Sequence, residues 1–292
     1  MTLVGPGPGG TVASAGAGAK KRLAVDELTV EFGGLLALDR VSMHADQHET
    51  LGVIGPNGAG KTTLFNVICG LTRARSGTIT YGGVALSGAR PHQLNHLGIA
   101  RTLQGVGLCK GMTVLENVMM GANARLRCDI GSALLGLWRS NREERRAAAA
   151  AKELLEQLGI ASYASGMPAA LPYAVQKRAA LARALLAEPS LLLLDEPASG
   201  LSDQEIAELA ALIRSLSTAM GIVLVEHRMD LVASVCDRIV VLNFGRVIAD
   251  GTPSEIRSND EVATAYLGRD VGGAVQGPAE GPASLEPGNA RG

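Results

Sequence analysis

The chain has 292 residues, of which 47% are hydrophobic and 19% charged. At about 150 residues per domain that allows one large domain or two modest ones, and the balance excludes a wholly disordered or fibrous protein. The 27 Lys and Arg against 28 Asp and Glu leave a formal charge of −1, so the basic footprint of a dedicated nucleic-acid binder is missing and no nucleic acid is expected as partner.

In chain order, residues 1–20 are Gly, Pro and Ala with little apolar period, and such a segment cannot bury enough surface to offset chain entropy; a disordered tail is expected. The basic residues Lys20, Lys21 and Arg22 follow the Gly/Pro/Ala stretch, the reverse of a secretory leader, so no export is expected. LAVDELTVEF alternates as a strand does, and VSMHADQHETLGVIG runs through a second strand into a glycine-rich segment. GTITYGGVAL, β-branched with a Gly-Gly turn, predicts an antiparallel hairpin. His92 and His96 are four apart, with no third donor nearby in sequence, and are taken as a solvated face rather than a metal site.

From Thr113 the period becomes helical. Thr113-Val114-Leu115-Glu116 is a capping box, in which each side chain satisfies an orphan N–H at the helix start. NREERRAAAAAKELLEQLG predicts a long helix with an apolar stripe at Leu154, Leu155 and Leu158 and a stop at Gly159, and Leu134, Leu137 and Trp138 are expected to pack the same helical region. After residue 171, QKRAALARALLAE, SLLLLDEP, DQEIAELAALIRSL, GIVLVEH and DRIVVLNFGRVIADG alternate helix with buried strand, which argues for an α/β fold with a parallel sheet covered by helices. The apolar runs Leu191–Leu194 and Ile222–Val225 are far below the ~18 residues of a membrane span. Cys69, Cys109, Cys128 and Cys236 form no C-x-x-C pair and are expected to be reduced, small buried hydrophobes. Residues 270–292 resemble the first twenty in composition, and a second tail is expected.

Two segments carry chemistry. Gly55-Pro56-Asn57-Gly58-Ala59-Gly60-Lys61-Thr62 fits G-x-x-x-x-G-K-[ST] between the apolar strand Leu51–Ile54 and a helical run that opens with Lys61, Thr62 and Thr63. Glycines let successive N–H groups turn toward one anion, and the helix N-terminus adds partial positive charge. Lys61 can reach the terminal phosphates, and Thr62 offers a hydroxyl to Mg²⁺. Leu191–Pro197 reads as a strand buried on both faces that delivers Asp195 and Glu196 to the carboxyl edge of the sheet. There Asp195 would join the Mg²⁺ shell and Glu196 would polarise an attacking water.

These residues, over roughly residues 22–268, resemble the nucleotide-binding subunits of ABC transporters. The resemblance implies a P-loop NTPase with an antiparallel β subdomain and a helical signature subdomain at about 110–175, binding ATP and Mg²⁺. Gln104, in IARTLQ, matches the family's Q-loop glutamine; His227, in GIVLVEH, its switch histidine; and Phe32, in TVEFGG, its adenine-stacking aromatic. EFGGLLALDRVS, GIARTLQ, MTVLENV, RIVVLNFGRVIADGTPSEI and YLG look most like the subunits of branched-chain amino acid importers, and importers of urea or short amides share much of this wording.

One element departs from the family. Where the LSGGQ signature belongs, the chain reads Leu171-Pro172-Tyr173-Ala174-Val175, similar to an LPYGQ variant but without its Gly and Gln. Pro172 brings no hydroxyl, Ala174 adds a methyl where backbone should lie against phosphate, and Val175 offers no side-chain hydrogen bond. In the next loop Ser202 stands where Asp is usual, with Asp203 one step late. Because the family sandwiches each ATP between one chain's phosphate loop and its partner's signature, the resemblance implies an asymmetric heterodimer. The expected partners are a second ATP-binding subunit with an intact signature, two membrane-spanning permease subunits and, indirectly, a solute-binding protein, at the cytoplasmic face of the inner membrane. A low-turnover regulatory ATP sandwich is the alternative.

Overall fold

The alternating segment after residue 22 forms β1 (Leu23–Phe32), which turns at Gly33-Gly34 into the antiparallel β2 (Leu35–Ala45). On its other edge β1 pairs with β4 (Ser76–Tyr81), itself paired with β5 (Val84–Ala85), so this sheet runs β2-β1-β4-β5. The Gly82-Gly83 turn predicted for that last hairpin is present, with both residues at positive φ. This computed structural model describes residues 21–102, 106–124 and 138–267, less the side chains of a few residues at segment ends. The expectations for the two tails, Gln104, Cys128, Leu134, Leu137, Gly268 and the side chains of His92 and Trp138 fall outside what is described.

A second sheet holds β3 (Thr50–Ile54), β6 (Ile99–Arg101), β7 (Leu191–Asp195), β8 (Gly221–Val225), β9 (Arg238–Asn243) and β10 (Arg246–Gly251), in the order β10-β9-β3-β8-β7-β6. All its pairings are parallel except β9 with β10. DRIVVLNFGRVIADG, expected as one buried strand, is thus a hairpin, because Phe244 and Gly245 both take positive φ and reverse the chain. Side chains alternate between the two faces of this sheet. Leu192, Leu194, Ile222, Leu224, Ile239 and Val241 pack in one core, and Leu191, Leu193, Val223, Val225, Val240 and Leu242 in the other. Each such side chain, taken from water, contributes about 1.5–3 kcal/mol, which is why the four-leucine run forms a strand covered on both sides.

The helices are α1 (Lys61–Ile68), α2 (Pro91–Leu97), α3 (Val114–Met119), α4 (Trp138–Gln157), α5 (Tyr173–Leu185), α6 (Asp203–Ser217), α7 (Met229–Val235), α8 (Pro253–Arg257) and α9 (Asp260–Leu267). The capping box before α3 forms as predicted: the Glu116 N–H donates to the Thr113 hydroxyl, and the Glu116 carboxylate accepts from the Thr113 N–H at 2.7 Å. The stripe on α4 buries Leu155, with Leu158 just past its end, against Val114 and Val118 of α3 and Ala179 and Ala182 of α5, and Gly159 closes the helix at positive φ.

Cys69 and Cys236 are buried, and burial pushes the Cys236 thiol up to about 12. Cys109 departs from expectation and is exposed, because it lies in the loop ahead of α3, where its backbone rather than its side chain is held, by Asn117. No described helix is long and apolar enough to cross a membrane.

Candidate nucleotide site

Strand register assembles the site. Val53 pairs with Val225, and Val225 with Asp195, so the carboxyl ends of β3, β8 and β7 lie side by side at the ~4.8 Å spacing of neighbouring strands. Three segments far apart in sequence therefore emerge together: the phosphate loop after Ile54, Glu226 and His227 after Val225, and Glu196 after Asp195. β6 adds a fourth, since Arg101 pairs with Leu193.

The loop from Gly55 to Gly60 leaves Asn57 and Gly58 exposed and Ala59 buried. Gly60 takes φ 106°, and a Cβ there would meet the Leu38 side chain at 2.7 Å and the Ala37 carbonyl at 2.8 Å, so only glycine fits. The same approach brings the β1–β2 hairpin, which bears the half-exposed Phe32, against the loop. Lys61, 7% exposed, folds back to donate to the Gly55 and Pro56 carbonyls at 2.7 and 3.0 Å. Thr62 is exposed and Thr63 half-buried in the first turn of α1, where backbone N–H groups lack intrahelical acceptors.

Asp195 is the buried counterpart, its carboxylate fully inaccessible. One oxygen, Oδ2, accepts from Arg101 Nη2 at 2.6 Å; the other, Oδ1, has no partner among the described residues. A buried carboxylate oxygen left unpaired is costly and, with the Thr62 hydroxyl, suits a hard divalent cation that takes oxygen ligands. Glu196 is half-buried at φ 48°, its N–H donating to the Val225 carbonyl at 2.9 Å. A non-glycine residue at positive φ beside such a group is strained and held by its surroundings. His227 is 56% exposed at the rim.

Besides Arg101, three groups that sequence reasoning missed complete the arrangement. Glu226 is fully buried and accepts from the Ala198 N–H at 2.7 Å and the His227 N–H at 3.1 Å, joining the segment after Glu196 to the histidine. Lys177 of α5 donates to the Glu196 and Pro197 carbonyls at 2.9 and 2.8 Å, and burial pulls its pKa below the usual lysine range. Arg228 spans Asp203 and Asp230, at 3.1 and 2.6 Å. A charge at the very end of an apolar run, as in GIVLVEH and IAR, was the available signal for Glu226 and Arg101.

The diverged signature opens α5. Pro172 is the N-cap and offers no side-chain hydrogen bond, and Tyr173 is exposed. Tyr173 lies so close to Gly200 that a Cβ on that glycine would come within 2.9 Å of the ring. Val175 points into the helical core at 9% exposure, so its missing amide is not a loss from this surface. Ser202 acts as a helix cap, its hydroxyl accepting from Glu205 N–H, and Asp203 is drawn to Arg228.

A phosphate loop feeding a helix, with an acidic strand end two strands away in a mostly parallel sheet, defines a nucleoside-triphosphate-hydrolysing cassette. Residues 38–199 match the ABC transporter family model, and residues 246–272 match that of the branched-chain amino acid ATP-binding cassette transporter. The chain is 41% identical over 248 residues to the high-affinity branched-chain amino acid transport ATP-binding protein LivG of Salmonella typhimurium, covering 84% of this chain and 97% of that one. It is 39% identical over the same length to BraF of Pseudomonas aeruginosa, with the same coverage. The ADP conformation of MJ1267, an ATP-binding cassette of an ABC transporter, superposes with a TM-score of 0.74 at 29% identity, covering 85% of this chain and 99% of that one. The chain belongs to the ABC transporter family, as an ATP-binding subunit whose ATPase activity is coupled to transport.

Proposed function

We propose that this subunit hydrolyses Mg²⁺·ATP to drive import of branched-chain amino acids, at the cytoplasmic face of the inner membrane, with two permease subunits and a second ATP-binding chain. The solute is argued from the relatives named for branched-chain amino acid transport and from the match over residues 246–272. Within the site, Lys61 and the amides of the loop from Asn57 to Thr63 hold the phosphates, and Phe32 stacks on the base. Thr62, Asp195 and Gln104 complete the Mg²⁺ shell. Glu196 orients the attacking water, and His227 meets the terminal phosphate.

The pair is asymmetric. The single observation that carries this is the start of α5, where Pro172 supplies no hydroxyl and Ala174 a methyl, while the same chain's phosphate-loop side lacks nothing. A site formed on this signature loses preorganised donors that stabilise transferring charge, and one such donor is worth about 100-fold or more in rate. The test is hydrolysis by the purified chain alone, and by the chain reconstituted with permeases and an ATP-binding partner of intact signature. The mixed complex should turn over at least about tenfold faster, and Glu196→Gln in this chain should abolish most of that turnover while ATP still binds. Equal, strongly cooperative turnover by the chain alone would sink the asymmetry. Unchanged hydrolysis in the Glu196→Gln complex would remove this chain's site from catalysis and favour the regulatory sandwich.

A further inference from the structure

Arg101 stands among three elements of the site, three positions ahead of Gln104 in the IARTLQ segment. It ends β6, its side chain 12% exposed, and its guanidinium makes three separate contacts. Nη2 donates to Asp195 Oδ2 at 2.6 Å, Nη1 donates to Asn66 Oδ1 of α1 at 3.0 Å, and the group lies over the Phe65 ring, 5.6 Å from its centroid. Asn66 sits one helical turn after Thr62, so the guanidinium is braced against the phosphate-loop helix and cannot swing aside without giving up both the amide and the ring.

A buried carboxylate is costly to a fold unless a cation or several donors meet it. Asp195 has one cation on one oxygen and, among the described residues, nothing on the other. The pairing is one-sided by construction: Arg101 approaches from the β6 side, and Oδ1 is left over. We propose that Arg101 is a positioning residue that neutralises Asp195 before the divalent cation is bound and, by remaining there, sets how much Mg²⁺ the site needs. This rests on Asp195 being a member of the metal shell. Two cations sharing one carboxylate repel, so Arg101 weakens the metal's hold while keeping the empty site folded. The same brace ties β6, the strand that runs toward Gln104, to the helix that follows the phosphate loop.

The test uses the full chain, with a fluorescent ATP analogue titrated at fixed Mg²⁺ concentrations and thermal unfolding followed in EDTA and in Mg²⁺·ATP. For Arg101→Gln, the unfolding temperature in EDTA should fall by about 10 °C, since one partner of a buried pair is gone. In Mg²⁺·ATP the fall should be less than half as large. The Mg²⁺ concentration that half-maximally tightens nucleotide binding should drop about tenfold, because the competing cation has been removed. Arg101→Lys, which keeps the charge, should stay within about threefold of the parent. A merely structural arginine would give equal losses with and without Mg²⁺·ATP and an unchanged Mg²⁺ midpoint, and that result overturns the proposal.

Should Arg101→Gln not fold, Asn66→Ala, which only unbraces the guanidinium, should shift the midpoint in the same direction by a smaller factor, and no shift there counts equally against it. Asp195→Asn separates the two layers of the argument. If it leaves the Mg²⁺ dependence of nucleotide binding intact, Asp195 is not in the metal shell. If it removes that dependence while Arg101→Gln changes nothing, only the role of Arg101 fails.

Discussion

The two ends of this cassette that face nucleotide in the family are built to different standards. At the carboxyl edge of the central sheet stand the start of α1, the exposed Thr62, and an oxygen of Asp195 that has no partner among the described residues. At the start of α5 the reverse holds. Val175 is turned into the core, Pro172 has nothing to donate, and Tyr173 is occupied with Gly200. The first region keeps a buried oxygen unsatisfied among the described residues, which costs stability; the second has given up its side-chain donors and kept only its helix terminus. The asymmetric pair proposed above follows from this contrast, with a second chain supplying the surface that this one lacks.

The sharpest way to break this comparison is to repair the poor end. Pro172→Ser with Ala174→Gly should raise hydrolysis by the chain alone about 10- to 100-fold, measured as phosphate release, because a hydroxyl and close backbone approach are restored. Val175→Gln, the remaining step toward the family's signature, should not help. Its side chain would be buried in the apolar cluster of α3, α4 and α5, where an unpaired amide costs about 1–3 kcal/mol, read as a lowered denaturation midpoint with no gain in rate. If Val175→Gln alone restored turnover, α5 would have to be rotated relative to the core packing described above.

A smaller effect is expected at the good end. Glu226 holds the Ala198 and His227 amides together from inside. Glu226→Ala strands the buried Ala198 N–H and frees the part-buried His227 N–H, and should lower stability by about 1–3 kcal/mol in chemical denaturation, the cost of one buried donor left unsatisfied. Turnover of the mixed complex should fall as well, because the segment after Glu196 and the histidine would no longer move as one. A loss of stability with full retention of rate would reduce Glu226 to a packing role.

Much of this was legible in the sequence where a local pattern corresponds to a local structure. The four-leucine run, the Gly55–Thr62 spacing, the Gly82-Gly83 turn and the Thr113–Glu116 capping box each dictate their own conformation, and each forms. What escaped depends on contacts between distant segments. Arg101 meets Asp195 across 94 positions, and Glu226 meets Ala198 across 28; neither pairing has a periodic trace, and a charge after an apolar run reads as a solvated turn. Val175 was misjudged for a related reason. Which face of α5 looks inward is decided by α3 and α4, not by residues 171–175. The β9–β10 reversal was missed because Phe244, exposed and at positive φ, is an unfavourable turn residue that Gly245 alone makes workable.

The smallest prediction concerns the rim beside His227, where Arg228 grips both carboxylate oxygens of Asp230, at 3.2 and 2.6 Å, and reaches Asp203 on α6. The hydrogen bonds from Arg228 hold the Asp230 carboxyl down to about 2. Because the folded value lies below the unfolded one, this group contributes stability that is fully present above about pH 4 and is lost as pH falls toward 2. In Arg228→Gln, the Asp230 side chain followed by NMR should titrate close to the ordinary ~3.9, and its share of the acid dependence should vanish. The group is exposed, so the change in overall stability at neutral pH should be slight. Titration still near 2 in the variant would instead credit the backbone N–H of Leu231 with holding the charge at the start of α7.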